Sequence, residues 1–288
     1  MLKTRLWMGF TLAGLALGAL VLDQWLAPWF PFLFLIVLAA GALGGRELIG
    51  LLERWPRPRA AFTLPALLTL LAANWVRAWA IDPWPVLAAL FAVAVLGAFL
   101  VEMYRYTGPG DAVMRVAFTV FGLAYLGLLP AFFVQLRWLA DPEGYSGIPR
   151  GTLALTLAIF VPKCCDIGAY FTGRLIGRHR MTPLLSPKKT WEGAVGGLVT
   201  AAAASVFVTR ACPAPELGLL KAVLFGLVVG LAGLLGDLAE SLIKRDGQKK
   251  DASQAVPGFG GVLDVIDAVV FAAPVAYLWL VSPWTPLG

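Results

Sequence analysis

Four stretches of this chain put charged and hydroxyl side chains where an apolar sequence has least use for them. The first is Lys163-Cys-Cys-Asp166-Ile-Gly-Ala-Tyr170. On a helix Lys163 and Asp166 stand at i, i+3 and Asp166 and Tyr170 at i, i+4, so the three share a face. Two readings stand: a self-neutralising Lys–Asp pair, or a carboxylate aimed at a cation or a polar substrate. The second is Ser186-Pro-Lys188-Lys189-Thr190-Trp-Glu192-Gly193, a loop that runs into a helix. Two lysines, two hydroxyls and a helix N-terminus suit an anion. A basic loop beside a membrane explains the lysines but not the Ser, Thr and Glu around them. The third is Gly236-Asp237-Leu-Ala-Glu240-Ser241, followed by Lys244. Glu240 and Lys244 have i, i+4 pairing distance, which leaves Asp237 unexplained unless a cation sits there. The fourth runs from Lys244 and Arg245 through Lys249, Lys250 and Asp251 into Pro257-Gly-Phe-Gly260-Gly261, and ends with Asp264 and Asp267 on one helix face. Its glycines permit close backbone approach to a phosphate or a re-entrant turn.

Charged side chains at membrane depth cost about 2.5–3.5 kcal/mol on insertion scales and are functional by default. Together the four stretches supply carboxylates for a hard divalent cation and Lys/Arg for phosphates. Mg²⁺ takes few carboxylates and completes its shell with water and substrate phosphate. The chain has one histidine, His179. Chemistry built on several histidines is therefore excluded, and a metal-assisted phosphoryl or nucleotidyl transfer is the economical reading.

The elements that must hold these residues are membrane helices. Of 288 residues 59% are hydrophobic and 14% charged, with a mean hydropathy of +0.80. A soluble domain has about 25% charged residues, and a disordered chain is polar and poor in aromatics. Nine apolar segments are expected to span, at 6–26, 29–45, 60–81, 84–103, 113–136, 151–173, 192–209, 218–242 and 264–282. Each suits about 30 Å of hydrocarbon as a helix. A β-barrel needs period-two alternation, which stretches such as 219–235 lack. The fold class expected is thus all-α, a polytopic helical bundle forming one membrane domain over 1–288. Within it 1–150 is the scaffold and 151–288 carries the chemistry. The first apolar run continues without a small-x-small cleavage site and reads as a retained span.

With the N-terminus in the cytoplasm, the inside loops hold 17 of the 23 basic residues and the outside loops hold five. This bias predicts a cytoplasmic N-terminus and a cytoplasmic site. It also accounts for the net charge of +6 without nucleic acid, for which no aromatic-interleaved basic domain exists. Cys164, Cys165 and Cys212 offer neither metal spacing nor a disulfide framework. Small-xxx-small pairs at Gly14/Gly18, Gly41/Gly45, Gly193/Gly197 and Gly226/Gly230 predict close helix packing inside the chain.

At the unusual residues the sequence resembles the phosphatidate cytidylyltransferases (CDP-diacylglycerol synthases). Three blocks carry the resemblance: Asp166-Ile-Gly-Ala-Tyr-Phe with Gly173-Arg; Ser186 to Gly193; and Ser241-Leu-Ile-Lys244-Arg245, Lys250-Asp251 and Pro257-Gly-Phe-Gly-Gly-Val-Leu-Asp264-Val-Ile-Asp267. The likeness is sharp from about 160 to 270. Two positions depart from the family signature. Phe259 replaces its His, and Val265 replaces its Arg.

The resemblance implies that CTP and phosphatidate, or a related lipid phosphate, give a CDP-lipid and pyrophosphate in phospholipid biosynthesis. It implies Mg²⁺, with K⁺ as a second ion, and metal-site aspartates at Asp237 and Asp264, with Asp267 and Asp166 beside them. Lys244 would share the catalytic set. Ser186, Lys188, Lys189, Thr190, Glu192, Ser241, Arg245, Lys250, Asp251, Gly260, Gly261 and Tyr170 would hold substrate. A multi-pass protein of the cytoplasmic (inner) membrane follows, surrounded by membrane lipids and forming a homodimer. Other readings are a CTP-dependent enzyme acting on a different lipid phosphate or lipid alcohol, a transporter, and a scaffold without turnover. No convincing internal repeat supports a transporter.

Overall fold

The structure is a computed structural model that describes residues 2–141, 147–211 and 218–281, with only the backbone of 2–6, 10 and 12. Among the described residues nine helices are long and apolar enough to cross a membrane. They are α1 (Leu2–Gln24), α2 (Pro31–Leu51), α3 (Ala60–Ala73), α4 (Pro83–Tyr104), α5 with α6 (Ala112–Leu123 and Leu129–Gln135), α7 (Arg150–Ile176), α8 (Trp191–Ala211), α9 (Leu219–Asp246) and α10 (Val262–Val281). A single π turn, Ala124–Leu128, joins α5 to α6 within one span. All nine expected spans are present, and their bounds move by a few residues. The largest change is α2, which continues to Leu51 and on through a 3₁₀ turn to Arg54. Cys212 lies outside the described residues, as do the side chains of Lys3 and Arg5.

The loop expected between the spans 151–173 and 192–209 holds a hairpin. Strand β1 (Arg180–Thr182) pairs antiparallel with β2 (Ser186–Thr190), and the Trp191 amide bonds the His179 carbonyl at 3.0 Å. β2 then runs directly into α8, where the Thr190 hydroxyl accepts from the Gly193 amide at 3.1 Å. A hydroxyl N-cap satisfies one of the first amides, which have no partner inside a helix.

The helices form two compact units. The first comprises 1–131 and 246–265, the second 132–245 and 266–288. Residues 246–265, most of the fourth stretch, thus belong with the N-terminal helices, and α10 begins in one unit and continues in the other.

Lipid tails are as apolar as leucine, so close packing rather than water exclusion holds such helices together. In the first unit Leu67, Leu70 and Leu71 of α3 are almost fully buried. Leu71 lies against Gly41 of α2 and Leu67 against Gly45; a methyl on Gly45 would come within 2.9 Å of Leu64 and Leu67. In the second unit α8 lies on α7, with a methyl on Gly193 falling 2.8 Å from the Ala169 carbonyl. α9 meets α8 at Gly226, where a methyl would stand 2.5 Å from the Ala202 Cα. Three of the four small-residue pairs therefore pack inside the chain. Gly14 and Gly18 have nothing within 4 Å among the described residues.

Candidate functional site

Asp237 and Glu240 lie one turn apart on α9, and Asp267 lies on α10. The two helices approach closely because position 236 is glycine: a Cβ there would sit 2.6 Å from the Asp267 carbonyl and 3.2 Å from the Ala268 Cα. That approach brings the three carboxylates together. One ligand oxygen from each lies within 4.8 Å of the others. Glu240 is fully buried and Asp267 nearly so, while Asp237 is half-buried.

Each carboxylate meets a lysine. Lys189 Nζ stands 2.8 Å from Asp237 Oδ2, Lys163 Nζ is 3.3 Å from Asp267 Oδ1, and Lys244 pairs with Glu240. Lys163 also reaches Asp166 at 3.6 Å. The Lys–Asp pair of the first reading is present, and its lysine also faces the carboxylate cluster. The Ser241 hydroxyl leans towards Asp237 at 3.5 Å. In this unit four carboxylates face three lysines, an all-oxygen donor set of the kind that suits Mg²⁺ rather than a soft metal.

The hairpin delivers Lys189 to Asp237. Along β2 Pro187 and Lys188 are exposed, and Ser186, Lys189 and Thr190 are half-buried. Arg245, at the end of α9, donates from Nε to the Leu185 carbonyl at 3.3 Å and holds the turn of the hairpin. Glu192 faces the strand entry. Its carboxylate accepts from the Arg178 amide (3.1 Å) and the His179 amide (3.2 Å) and meets His179 Nδ1 at 2.5 Å. In this arrangement it organises the hairpin. Tyr170 is 52% exposed, and its hydroxyl accepts from Arg174 at 3.0 Å. It is not among the groups around Asp237.

In the first unit Asp264 opens α10. Its Oδ2 accepts from the Ala252 amide at 3.0 Å and the Gly261 amide at 2.7 Å, so it folds the Pro/Gly loop over the helix start. Gly260 has φ +109°, a conformation that side-chain-bearing residues rarely adopt. Lys250 and Asp251 are exposed in the turn after α9. Phe259, which stands at the signature's His position, is 39% exposed. A methyl on Gly9 would lie 3.5 Å from its ring.

Among the expected metal residues, Asp237 and Asp267 share the cluster. Asp166 joins it through Lys163, and Asp264 holds backbone amides. Glu240 is the cluster member that sequence reasoning left to Lys244, although its spacing from Asp237 was the available signal. Glu47 and Ser253 also went unread. Ser253 donates to Glu47, and Glu47 accepts from the Val262 amide at the start of α10; Glu47 lies far from both in sequence, and no local pattern marks such a contact.

The chain matches the cytidylyltransferase family over residues 3–282. It is 32% identical over 252 residues to the phosphatidate cytidylyltransferase of Synechocystis, a match covering 81% of this chain and 85% of that protein. Against the phosphatidate cytidylyltransferase of Bacillus subtilis it is 33% identical over 235 residues, covering 81% and 77%. A shorter match, 37% identical over 135 residues, covers 47% of this chain and 45% of the uncharacterised Escherichia coli protein YnbB. This multi-pass membrane protein therefore belongs to the cytidylyltransferase family.

Proposed function

We propose that the protein is a phosphatidate cytidylyltransferase: CTP and phosphatidate react to give CDP-diacylglycerol and pyrophosphate. The observation that carries this reading is the convergence of Asp237, Glu240 and Asp267, with one oxygen from each within 4.8 Å of the others, beside lysines on both α7 and the hairpin. Phosphoryl-type transfer asks a protein mainly for positioning and for charge on transferring phosphates.

One phosphate oxygen of phosphatidate forms a bond to the α-phosphorus of CTP, and the bond from that phosphorus to the bridging oxygen breaks, releasing pyrophosphate. The nucleophile is already an anion at neutral pH, so no side chain has to remove a proton from it. This is why Phe259 in place of a histidine is compatible with activity.

Asp237, Glu240 and Asp267 would hold Mg²⁺, and a role in turnover is proposed as well for Asp264 near the start of α10. Bound there, the ion supplies charge stabilisation to phosphate oxygens. Lys189 has three donors and needs only one for Asp237, so the others are free to orient a phosphate. Lys163 and Lys244 keep the buried carboxylates neutralised and directed. Lys188, Arg245 and Lys250 are assigned to phosphates of CTP or lipid, and Gly260 and Gly261 to the tight turn that leads into α10. Ser186 and Thr190 shape the hairpin that presents the lysines. The excess of basic residues on one set of loops supports a cytoplasmic site reached by CTP from the cytoplasm.

The test is pyrophosphate release by detergent-purified protein given CTP, phosphatidate and Mg²⁺, with the lipid product identified by mass and Asp237→Asn as control. Product that disappears in the control supports the reading. CTP binding without product points to another lipid acceptor, and absence of nucleotide binding overturns enzyme action of this kind.

A further inference from the structure

The first unit contains a carboxylate that none of these roles uses. Glu47 lies on α2. Its Oε1 accepts from the Ser253 hydroxyl at 2.6 Å and the Val262 amide at 3.0 Å, and its Oε2 accepts from the Leu263 amide at 2.8 Å. Val262 and Leu263 are the first residues of α10, so their amides have no partner within the helix. A carboxylate at that end also opposes the positive pole of the helix dipole. The fit is close, for a methyl on Gly261 would fall 2.5 Å from Glu47 Oε2. Lys249, at the entry to the loop, donates to the Gly50 carbonyl (2.9 Å) and to Glu53 (3.1 Å), also on this span.

Two carboxylates therefore define the loop 252–261. Asp264 grips Ala252 and Gly261 from within α10, and Glu47 grips Ser253, Val262 and Leu263 from α2. The bonds interleave, so the direction of the Asp264 carboxylate depends on groups that Glu47 holds. We infer that Glu47 is a positioning residue: it fixes the start of α10 and the Pro/Gly loop, and through them the orientation of Asp264. Its consequence for turnover rests on the function proposed above; its consequence for the loop does not.

The molecule provides its own control. Asp23, fully buried at the end of α1, caps α2 in the same manner, accepting from the Phe32 amide at 2.9 Å and the Leu33 amide at 2.7 Å. No candidate site residue begins the helix that it caps. Asp23→Asn and Glu47→Gln thus remove the same kind of bond with different expected outcomes.

The experiment compares Glu47→Gln, Glu47→Asp and Asp23→Asn with wild type in detergent. It reads amide hydrogen exchange over 252–263 without substrate, thermal midpoint, and kcat and KM for CTP. Glu47→Gln is expected to speed exchange over 252–263 about tenfold and to lower kcat about 10–100-fold, as loss of a supporting partner does elsewhere, with KM changed less than threefold. Glu47→Asp, which keeps the charge, is expected to recover part of kcat. Asp23→Asn should lower the midpoint but leave kcat within about twofold and exchange over 252–263 unchanged.

Exchange in Glu47→Gln within twofold of wild type overturns the inference, as does a kcat loss no greater than that of Asp23→Asn. If Glu47→Gln does not fold, Ser253→Ala removes one bond outside the helices and must still speed loop exchange; unchanged exchange overturns the inference. If wild-type protein makes no CDP-lipid, the function proposed above fails alone, and the exchange result still decides whether Glu47 holds the loop.

Discussion

Glu102 in the first unit and the cluster around Asp237 in the second both place carboxylates inside membrane-spanning helices, and both neutralise them. They do so by opposite means. Glu102 is buried between two arginines, with Arg59 Nε at 2.6 Å and Arg115 Nε at 2.8 Å. Arg59 adds a second bond from Nη2 at 3.3 Å, completing a two-point fork. A guanidinium is planar, always charged and geometrically matched to a carboxylate, so this arrangement ties α3, α4 and α5 together and leaves the acid little to do. Asp237, Glu240 and Asp267 are instead crowded together and matched to lysines, which are compact, strongly hydrated point charges on flexible stems. Such pairs can be remade. The difference separates a carboxylate used as a staple from carboxylates that, under the proposed function, would serve a cation and phosphates.

The comparison is most directly broken at the cluster. Asp267→Asn should lower pyrophosphate release by more than about a hundredfold, since even outer partners of a metal site cost about 10–100-fold. Its thermal midpoint should fall only slightly, because Lys163 retains Asp166. Glu102→Ala should do the reverse. Loss of one partner of a buried ion pair costs about 3–5 kcal/mol, and about 2–3 kcal/mol is expected here because the arginine side chains are 30% and 28% exposed. The surviving folded protein should keep its kcat. A large kcat loss in Glu102→Ala at normal stability would end the distinction.

Glycine replacements sharpen it further. Gly236→Ala forces a methyl against the α10 backbone and should cost about 1–3 kcal/mol together with activity, because it parts Asp237 from Asp267. Gly45→Ala meets only leucine side-chain ends, and its smaller cost should leave kcat unchanged. The smallest effects come from exchanging the two cations. Lys189→Arg should lower kcat about tenfold, equivalent to about 1.4 kcal/mol, by locking a fork onto Asp237. Arg59→Lys should lose about 1 kcal/mol of stability with no kinetic change.

The nine spans were legible because a bilayer imposes length and apolarity on every crossing, and 219–235 or 84–103 can satisfy that in only one way. The cluster was partly legible. Asp237, Asp267, Lys189 and Lys244 are charges that hydrocarbon would not keep without a use. The pairing of Glu240 with Lys244 was readable from spacing, but its place beside Asp267 was not, because it depends on α9 and α10 meeting at Gly236. The hairpin was hidden by its length: Arg180–Thr182 is too short to show alternation. Glu192 resembled a substrate contact by position, yet its partners are amides of Arg178 and His179, which only the fold brings near. Glu47 lay in an apolar helix far from every motif and was invisible for the same reason.

The return of residues 246–265 to the first unit has a consequence for biosynthesis. Chains emerge N-terminus first, at about 5–20 residues per second, so α1 to α5 enter the membrane well before the segment that completes their unit is made. Until then Glu47 has no helix start to hold. The second unit waits as well, since Lys163 meets Asp267 only after α10 is inserted. A ribosome that stalls after α9 would leave two unfinished bodies, and quality-control proteases would meet both at once. Completion of the last crossing is the event that commits the whole molecule.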